Sequence, residues 1–196
     1  EETSLEPLTD YSKFKVRCEE ILLSKTNNNF IASIIRPATV CGYSPRQRLD
    51  LVVNILTNLA YHNKVIKVFG GAQLRPNIHI ADMANSYICM LESDEKLIKN
   101  QIFNVGFENY SVEKLAIMVK EQIKGKVEIE YVKSNDDRSY HINSKKIERI
   151  LNFKPQKNIF QAISDLINAF DKKIFANTLS NDDYYNIKKM QKINLV

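Results

Sequence analysis

Phe30-Ile31-Ala32-Ser33-Ile34-Ile35-Arg36-Pro37-Ala38-Thr39-Val40-Cys41-Gly42, residues 30–42, decides how the rest of the chain is read. Its first six residues are apolar and partly β-branched, and so short a run reads as a buried strand at 30–35. The strand ends at Arg36-Pro37, and Gly42 suits a tight turn in the irregular segment that follows at 36–46. Upstream, Thr26-Asn27-Asn28-Asn29 is a turn. Before it, a helix runs from 9 to 24, capped by Thr9 or Asp10 and carrying Val16, Ile21 and Leu22. Downstream, Leu49, Val52, Val53, Leu56 and Leu59 mark a helix at 47–61. Val65-Ile66-Lys67-Val68-Phe69 is a strand closed by Gly70-Gly71, and 76–80 is extended. Asp82 is expected to cap a helix through Leu91. Strands follow at 101–105 and 127–132, and helices start at Ser111 and near 144 and 158. Strand and helix alternate, which makes the fold class α/β.

On the first helix, Tyr11 and Lys15 are four residues apart and share one face, whereas Lys13 lies on another. A phenol titrates at about 10 in isolation, and a neighbouring cation favours its ionised form. Such a pair can give or take a proton near neutral pH. The spacing alone is equally consistent with two exposed residues on a solvated helix.

Composition sets bounds. At 196 residues, with 44% apolar content, one compact domain with an ordinary core is expected. No apolar run reaches the roughly 18 residues of a membrane span, and no secretory signal is visible. Cys18, Cys41 and Cys89 lack metal-ligand spacing and read as buried free thiols in a reducing cytoplasm. Three scattered histidines suggest no metal site. The net charge of +5 is carried by dispersed lysines, without a basic stripe interleaved with aromatics, so nucleic acid is not expected as a partner. A modest positive field suits a diphosphate-bearing ligand.

The ordered set of Tyr11/Lys15, the 30–42 stretch, Arg75-Pro76-Asn77-Ile78-His79-Ile80-Ala81-Asp82-Met83-Ala84, Phe103-Asn104-Val105-Gly106 and the helix at Ser111 resembles the extended short-chain dehydrogenase/reductase family, in particular its NAD-dependent nucleotide-sugar epimerases and dehydratases. The resemblance reaches to about Phe170. Family members open with a Gly-rich strand–turn–helix that cradles a pyrophosphate. None of the five glycines here forms Gly-x-x-Gly-x-x-Gly, and a catalytic Ser/Thr would also lie upstream of Tyr11. The chain is therefore expected to be the C-terminal part of a Rossmann-type sheet with a smaller α/β substrate-binding domain. Residues 1–42 would end the Rossmann-type domain and 43–170 would build mainly the substrate-binding domain, with strand 101–105 returning to the sheet. Residues 171–196 would form a C-terminal tail, the part from 177 an extended or helical appendage.

The resemblance implies roles for particular residues. Tyr11 would exchange a proton with a sugar hydroxyl, and Lys15 would bind the nicotinamide ribose of NAD or NADP. Pro37 and Ala38 would pass beside the nicotinamide. Thr39 stands where relatives often carry an Asn that touches the sugar; Thr keeps a hydroxyl and loses the amide. Arg75 would clamp the diphosphate of a nucleotide-diphosphate sugar, for which a planar guanidinium fork is suited. Arg138 would be a second phosphate-facing group, with Arg48 and Asn54 as further nucleotide contacts. His79 tempts as a base, but packing or a backbone hydrogen bond is the expected role. A homodimer through helices 9–24 and 47–61 and a cytoplasmic location are expected. Epimerase, dehydratase and keto-sugar reductase chemistry stay open, as does a truncated, non-enzymatic relative serving as a structural or binding module.

Overall fold

The computed structural model describes residues 1–134 and 139–195. Arg138 and the expectation attached to it lie outside the described residues. Helix α1 (Asp10–Ser24) opens with a reciprocal cap, in which Thr9 and Ser12 satisfy each other's backbone N–H. Strand β1 (Ile34–Pro37) pairs in parallel with β5 (Ile102–Val105), placing Arg36 opposite Asn104. A second sheet has the order β2 (Thr39–Cys41), β4 (Leu74–His79), β6 (Glu108–Ser111), with β2 parallel and β6 antiparallel to the centre. A third joins β3 (Val65–Phe69) in parallel to β7 (Glu128–Val132). The helices are α2 (Val52–Asn63), α3 (Ile80–Glu92), α4 (Glu95–Ile98), α5 (Val112–Gln122), α6 (Lys145–Leu151), α7 (Ile159–Asp171) and α8 (Asn186–Lys192), the last preceded by a 3-10 turn at Asp182–Tyr184. No described helix is long and apolar enough to cross a membrane.

Two main cores hold the chain. Val53, Leu56, Ile66, Val68, Leu115, Val119 and Ile163 pack α2, β3, α5 and α7 together. Ile78, Met83, Phe103, Val105 and Ile147 pack β4, α3, β5 and α6. Alternation along β3 is complete: Ile66 and Val68 are fully buried while Lys67 and Phe69 face out.

Several expectations need correction. The first strand begins at Ile34 rather than Phe30, because its ladder partner β5 is only four residues long and starts at Ile102. Phe30 instead closes a turn with Asn27 and is half exposed. The 47–61 helix begins at Val52, after a loop held by side-chain amides. Asp82 is not the cap of α3. That cap is His79, whose Nδ1 accepts from the Ala81 N–H, while the Asp82 carboxylate accepts from the N–H groups of Gln156 and Lys157. His79 thus has the backbone bond expected of it. Cys18 is exposed, not buried. Cys41 is buried, and burial pushes its thiol up to about 12, so it stays an unreactive thiol. Helix α2 turns Val53, Leu56 and Ala60 into the chain's own core and leaves Val52, Ile55 and Leu59 partly buried. In α1, no residue is buried, and Tyr11 and Phe14, like Leu8 just before the helix, are more than 70% exposed.

Candidate active site

The site forms where β1 and β2 end. Ala38 follows Pro37 and its N–H donates to the Val105 carbonyl, so the chain steps from one parallel sheet into the next across Ala38. The loop 42–51 then turns along one wall. Two buried amides shape it. Gln47, 3% exposed, accepts from the Ser44 N–H at 3.0 Å and donates to the carbonyls of Gly42 and Arg48. Asn54, equally buried, accepts from the Gly42 N–H at 3.0 Å and donates to the Arg48 carbonyl at 2.8 Å. Gly42 itself has φ +103°, and a Cβ there would stand 3.3 Å from His79 Nε2. The glycine is required by both backbone and space.

The resulting cleft has a volume of about 510 Å³ and is walled by Tyr11, Pro37, Ala38, Thr39, Gly42, Arg46, Gln47, Arg48, Asn54 and Tyr140 among others. It opens at the C-terminal ends of parallel strands, where ligands of open α/β sheets gather. Tyr11 is 73% exposed on its rim, with Lys15 Nζ 5.7 Å from the ring centroid. The helix that carries both is tied to the sheet by Glu19, whose carboxylate receives Arg36 Nη2 at 2.6 Å and Nε at 3.0 Å. The same bond to Glu19 holds the Arg36 guanidinium above its ordinary pKa, against the opposing effect of burial. A larger groove of about 1240 Å³ adjoins the cleft through Pro37 and Tyr140, lined by Arg36, Asn104, Lys146 and Arg149. Tyr11 lines the smaller cleft and not that groove.

The expected residues divide. Tyr11, Pro37, Ala38, Thr39, Arg48 and Asn54 share the cleft, and Lys15 stands behind Tyr11. Arg75 does not wall it. It lies half-buried on β4 opposite Tyr110, and its Nη1 donates to the Leu74 carbonyl. Leu74 also receives the Tyr140 N–H and donates to Ser139 Oγ, so Arg75 flanks the segment that brings Tyr140 to the cleft. Gln47 and Tyr140 line the cleft although the sequence does not single them out, and Arg46, which from the sequence could meet phosphate or stay solvated, lines it too. Of the first two, only Gln47 carried a signal, as an amide flanked by two arginines. His79 stays inside, bonded through Nε2 to Asp165 at 3.1 Å. Among the described residues no cluster of His, Cys, Asp or Glu could hold a metal.

The family model for the NAD-dependent epimerase/dehydratase family matches residues 1–106, more than half of the chain. The chain belongs to this family. Solved structures of the epimerase/dehydratase family share the fold. UDP-glucuronic acid 4-epimerase from Bacillus cereus, in complex with UDP-glucuronic acid and NAD, superposes with a TM-score of 0.77 at 22% identity, over 89% of this chain and 56% of that one. dTDP-glucose 4,6-dehydratase from Bacillus anthracis, in complex with NAD, gives 0.75 at 22% identity, over 88% and 55%. UDP-glucose 4-epimerase from Thermotoga maritima, with UDP-glucose, gives 0.72 at 21% identity, over 87% and 56%. The chain thus spans about half the length of these relatives. The Rossmann-type α/β expectation is met: β1–β5, β2–β4 and β3–β7 all pair in parallel.

Proposed function

We propose that this chain is the substrate side and the Tyr/Lys helix of an NAD(P)-dependent nucleotide-sugar epimerase/dehydratase of the cytoplasm, acting at a sugar carbon. One observation carries the reading: Tyr11 stands on the rim of the same cleft as Pro37, Ala38, Thr39 and Arg48, with the Lys15 ammonium beside its ring. The residues present fit the nicotinamide end of the cofactor, since the exposed Pro37 and Tyr11 line one opening at the strand ends, with Lys15 beside the Tyr11 ring. Lys15 would hold ribose hydroxyls there. When bound, the dinucleotide supplies the hydride acceptor. The Tyr11 oxygen would take the proton of the sugar hydroxyl and give it back. The Thr39 hydroxyl meets the sugar, while Arg48, which walls the cleft, pairs with the diphosphate as a planar, charged donor. The exposed apolar face of α1 would pack against a second copy.

The test is Tyr11→Phe in the enzyme that joins this chain to a glycine-rich cofactor half. The ring remains and the titrating hydroxyl goes. Turnover of a nucleotide sugar should fall by about 10²–10⁴-fold with affinity for the sugar nucleotide nearly unchanged. Wild-type turnover in that variant would return Tyr11 to an ordinary helix residue.

A further inference from the structure

We propose that Asp50 is a positioning residue for the cleft, fixing Arg48 in its wall, and that the C-terminal segment 175–192 is the strap that holds Asp50 and Arg46 in place. The inference rests on the nucleotide-sugar reading of the cleft and goes beyond it.

The Asp50 carboxylate is shared between the wall and the tail. Arg48 Nε donates to Oδ1 at 2.9 Å and Nη2 to Oδ2 at 3.1 Å, while the Asn186 N–H donates to the same Oδ2 at 3.0 Å. Asn186 then reaches the other arginine of the wall: its Oδ1 accepts from Arg46 Nη2 at 3.3 Å. Between Arg48 and Asp50, Leu49 is fully buried against Leu166 and Phe170, and its N–H donates to the Tyr184 carbonyl at 2.9 Å. The tail is anchored at its far end on α2. The Thr178 carbonyl accepts from Asn58 Nδ2 and from the Tyr185 hydroxyl, and Thr178 Oγ1 lies 3.0 Å from His62 Nε2. Phe175 and Tyr184 stack edge-on between these anchors, at 5.8 Å.

The arrangement suits ligand binding better than mere closure of a core. A free Arg side chain loses considerable rotamer entropy when it clamps a phosphate. Asp50 removes that freedom beforehand through Nε and one Nη2 hydrogen, leaving the Nη1 pair and the second Nη2 hydrogen for a ligand. Burial alone would raise the Asp50 carboxyl, but the bonds from Arg48 and Asn186 outweigh it and hold it below the ordinary value, so the clamp stays charged at neutral pH.

The experiment is calorimetry on the enzyme carrying this chain, with UDP, dTDP, GDP and ADP as probes and the tightest retained. Arg48→Ala should weaken binding about tenfold and Asp50→Asn about fivefold. Asn186→Pro should weaken it about two- to threefold. Proline is tolerated at a first helical position, so this variant removes the N–H to Asp50 and the contact to Arg46 without breaking α8. In an Arg48→Ala background, Asp50→Asn should cost less than about twofold, because a residue that acts through Arg48 has nothing left to orient. Unchanged affinity in Arg48→Ala, in Asp50→Asn or in Asn186→Pro overturns the inference. So do losses that multiply in the double variant, which would mark Asp50 as structural. If the wild type binds none of the four nucleotides, the nucleotide-sugar reading falls and takes this inference with it. If it binds and Asp50→Asn binds equally, only the inference falls.

Discussion

The Gly42 N–H donates to Asn54 Oδ1 at 3.0 Å, which hangs the loop wall of the cleft from the first turn of α2. The other half of the same amide donates to the Arg48 carbonyl at 2.8 Å. One side chain therefore fixes both ends of the segment 42–48, and it is 3% exposed while doing so. Asn54→Ala would leave the buried Gly42 N–H without this acceptor and the Arg48 carbonyl with only the Gln47 amide. Stability should drop by about 1–3 kcal/mol, the cost of orphaning buried polar groups. Urea unfolding measures it. A shift below about half a kcal/mol would mean that the loop is held by Gln47 alone.

Much of this arrangement was legible in the sequence, and the failures share a cause. Helix α1, strands β3 and β7 and helices α5 and α7 follow from local periodicity and caps, including Ser111, whose hydroxyl accepts from the Lys114 N–H as a cap should. The Tyr11–Lys15 pair was legible because helical spacing is local. Strands β2 and β6 were not, since three and four residues show no alternation and exist only because β4 pairs with both. His79 was passed over as a cap because caps are ordinarily Ser, Thr, Asp or Asn, and the imidazole serves only where β4 runs straight into α3. Gln47 and Tyr140 face the cleft through loop geometry that no periodicity encodes. The tail reads as polar from its Asn and Lys content, yet Phe175, Tyr184 and Tyr185 pack it against Leu49 and Phe170.

His62 gives the tail a pH dependence. Burial, and next Lys64, lower its pKa below the ordinary 6.5, so the folded state favours neutral imidazole. A depressed pKa means that the unfolded chain binds the proton more readily. The stabilising contribution is therefore whole above pH 6.5 and lost as pH falls through the lowered folded value. Asp50, also lowered, loses its contribution only below the ordinary 3.8, so the two are separable. Between about pH 7.5 and 5.5 the wild-type Tm should fall more steeply than that of His62→Gln, which cannot titrate. Parallel Tm curves for the two proteins would show that His62 does not couple the tail to pH.

Gly106 ends β5 where three elements converge, and its constraint is space rather than backbone freedom. A Cβ there would meet Ile142 Cδ1 at 2.5 Å and Ala38 Cβ at 2.9 Å. Gly106→Ala should therefore destabilise by about 1–3 kcal/mol through overpacking. Ile142→Ala in the same chain removes the nearer clash and should recover part of the loss. Absence of recovery would place the strain on Ala38, directly beneath the cleft, and Gly106→Ala would then disturb ligand affinity as well as stability.

The last expectation concerns NAD and this chain in isolation. The cofactor contacts proposed for residues 1–196 are Tyr11, Lys15, Pro37 and Ala38, and none of the five glycines lies in a Gly-x-x-Gly-x-x-Gly turn. Pyrophosphate recognition in Rossmann-type folds depends on such a turn, because backbone N–H groups at a helix N-terminus carry the contact. Two exposed side chains, even if they held a nicotinamide ribose as proposed, would not replace it. Calorimetry on residues 1–196 should accordingly detect no NAD affinity in the micromolar range, a shortfall of about 4 kcal/mol or more if binding is left in the millimolar range. Micromolar binding by the isolated chain would require a second dinucleotide-binding surface. The groove between Arg36, Asn104 and Arg149 would then be the place to look for it, with Arg149→Glu as the variant that should abolish the signal.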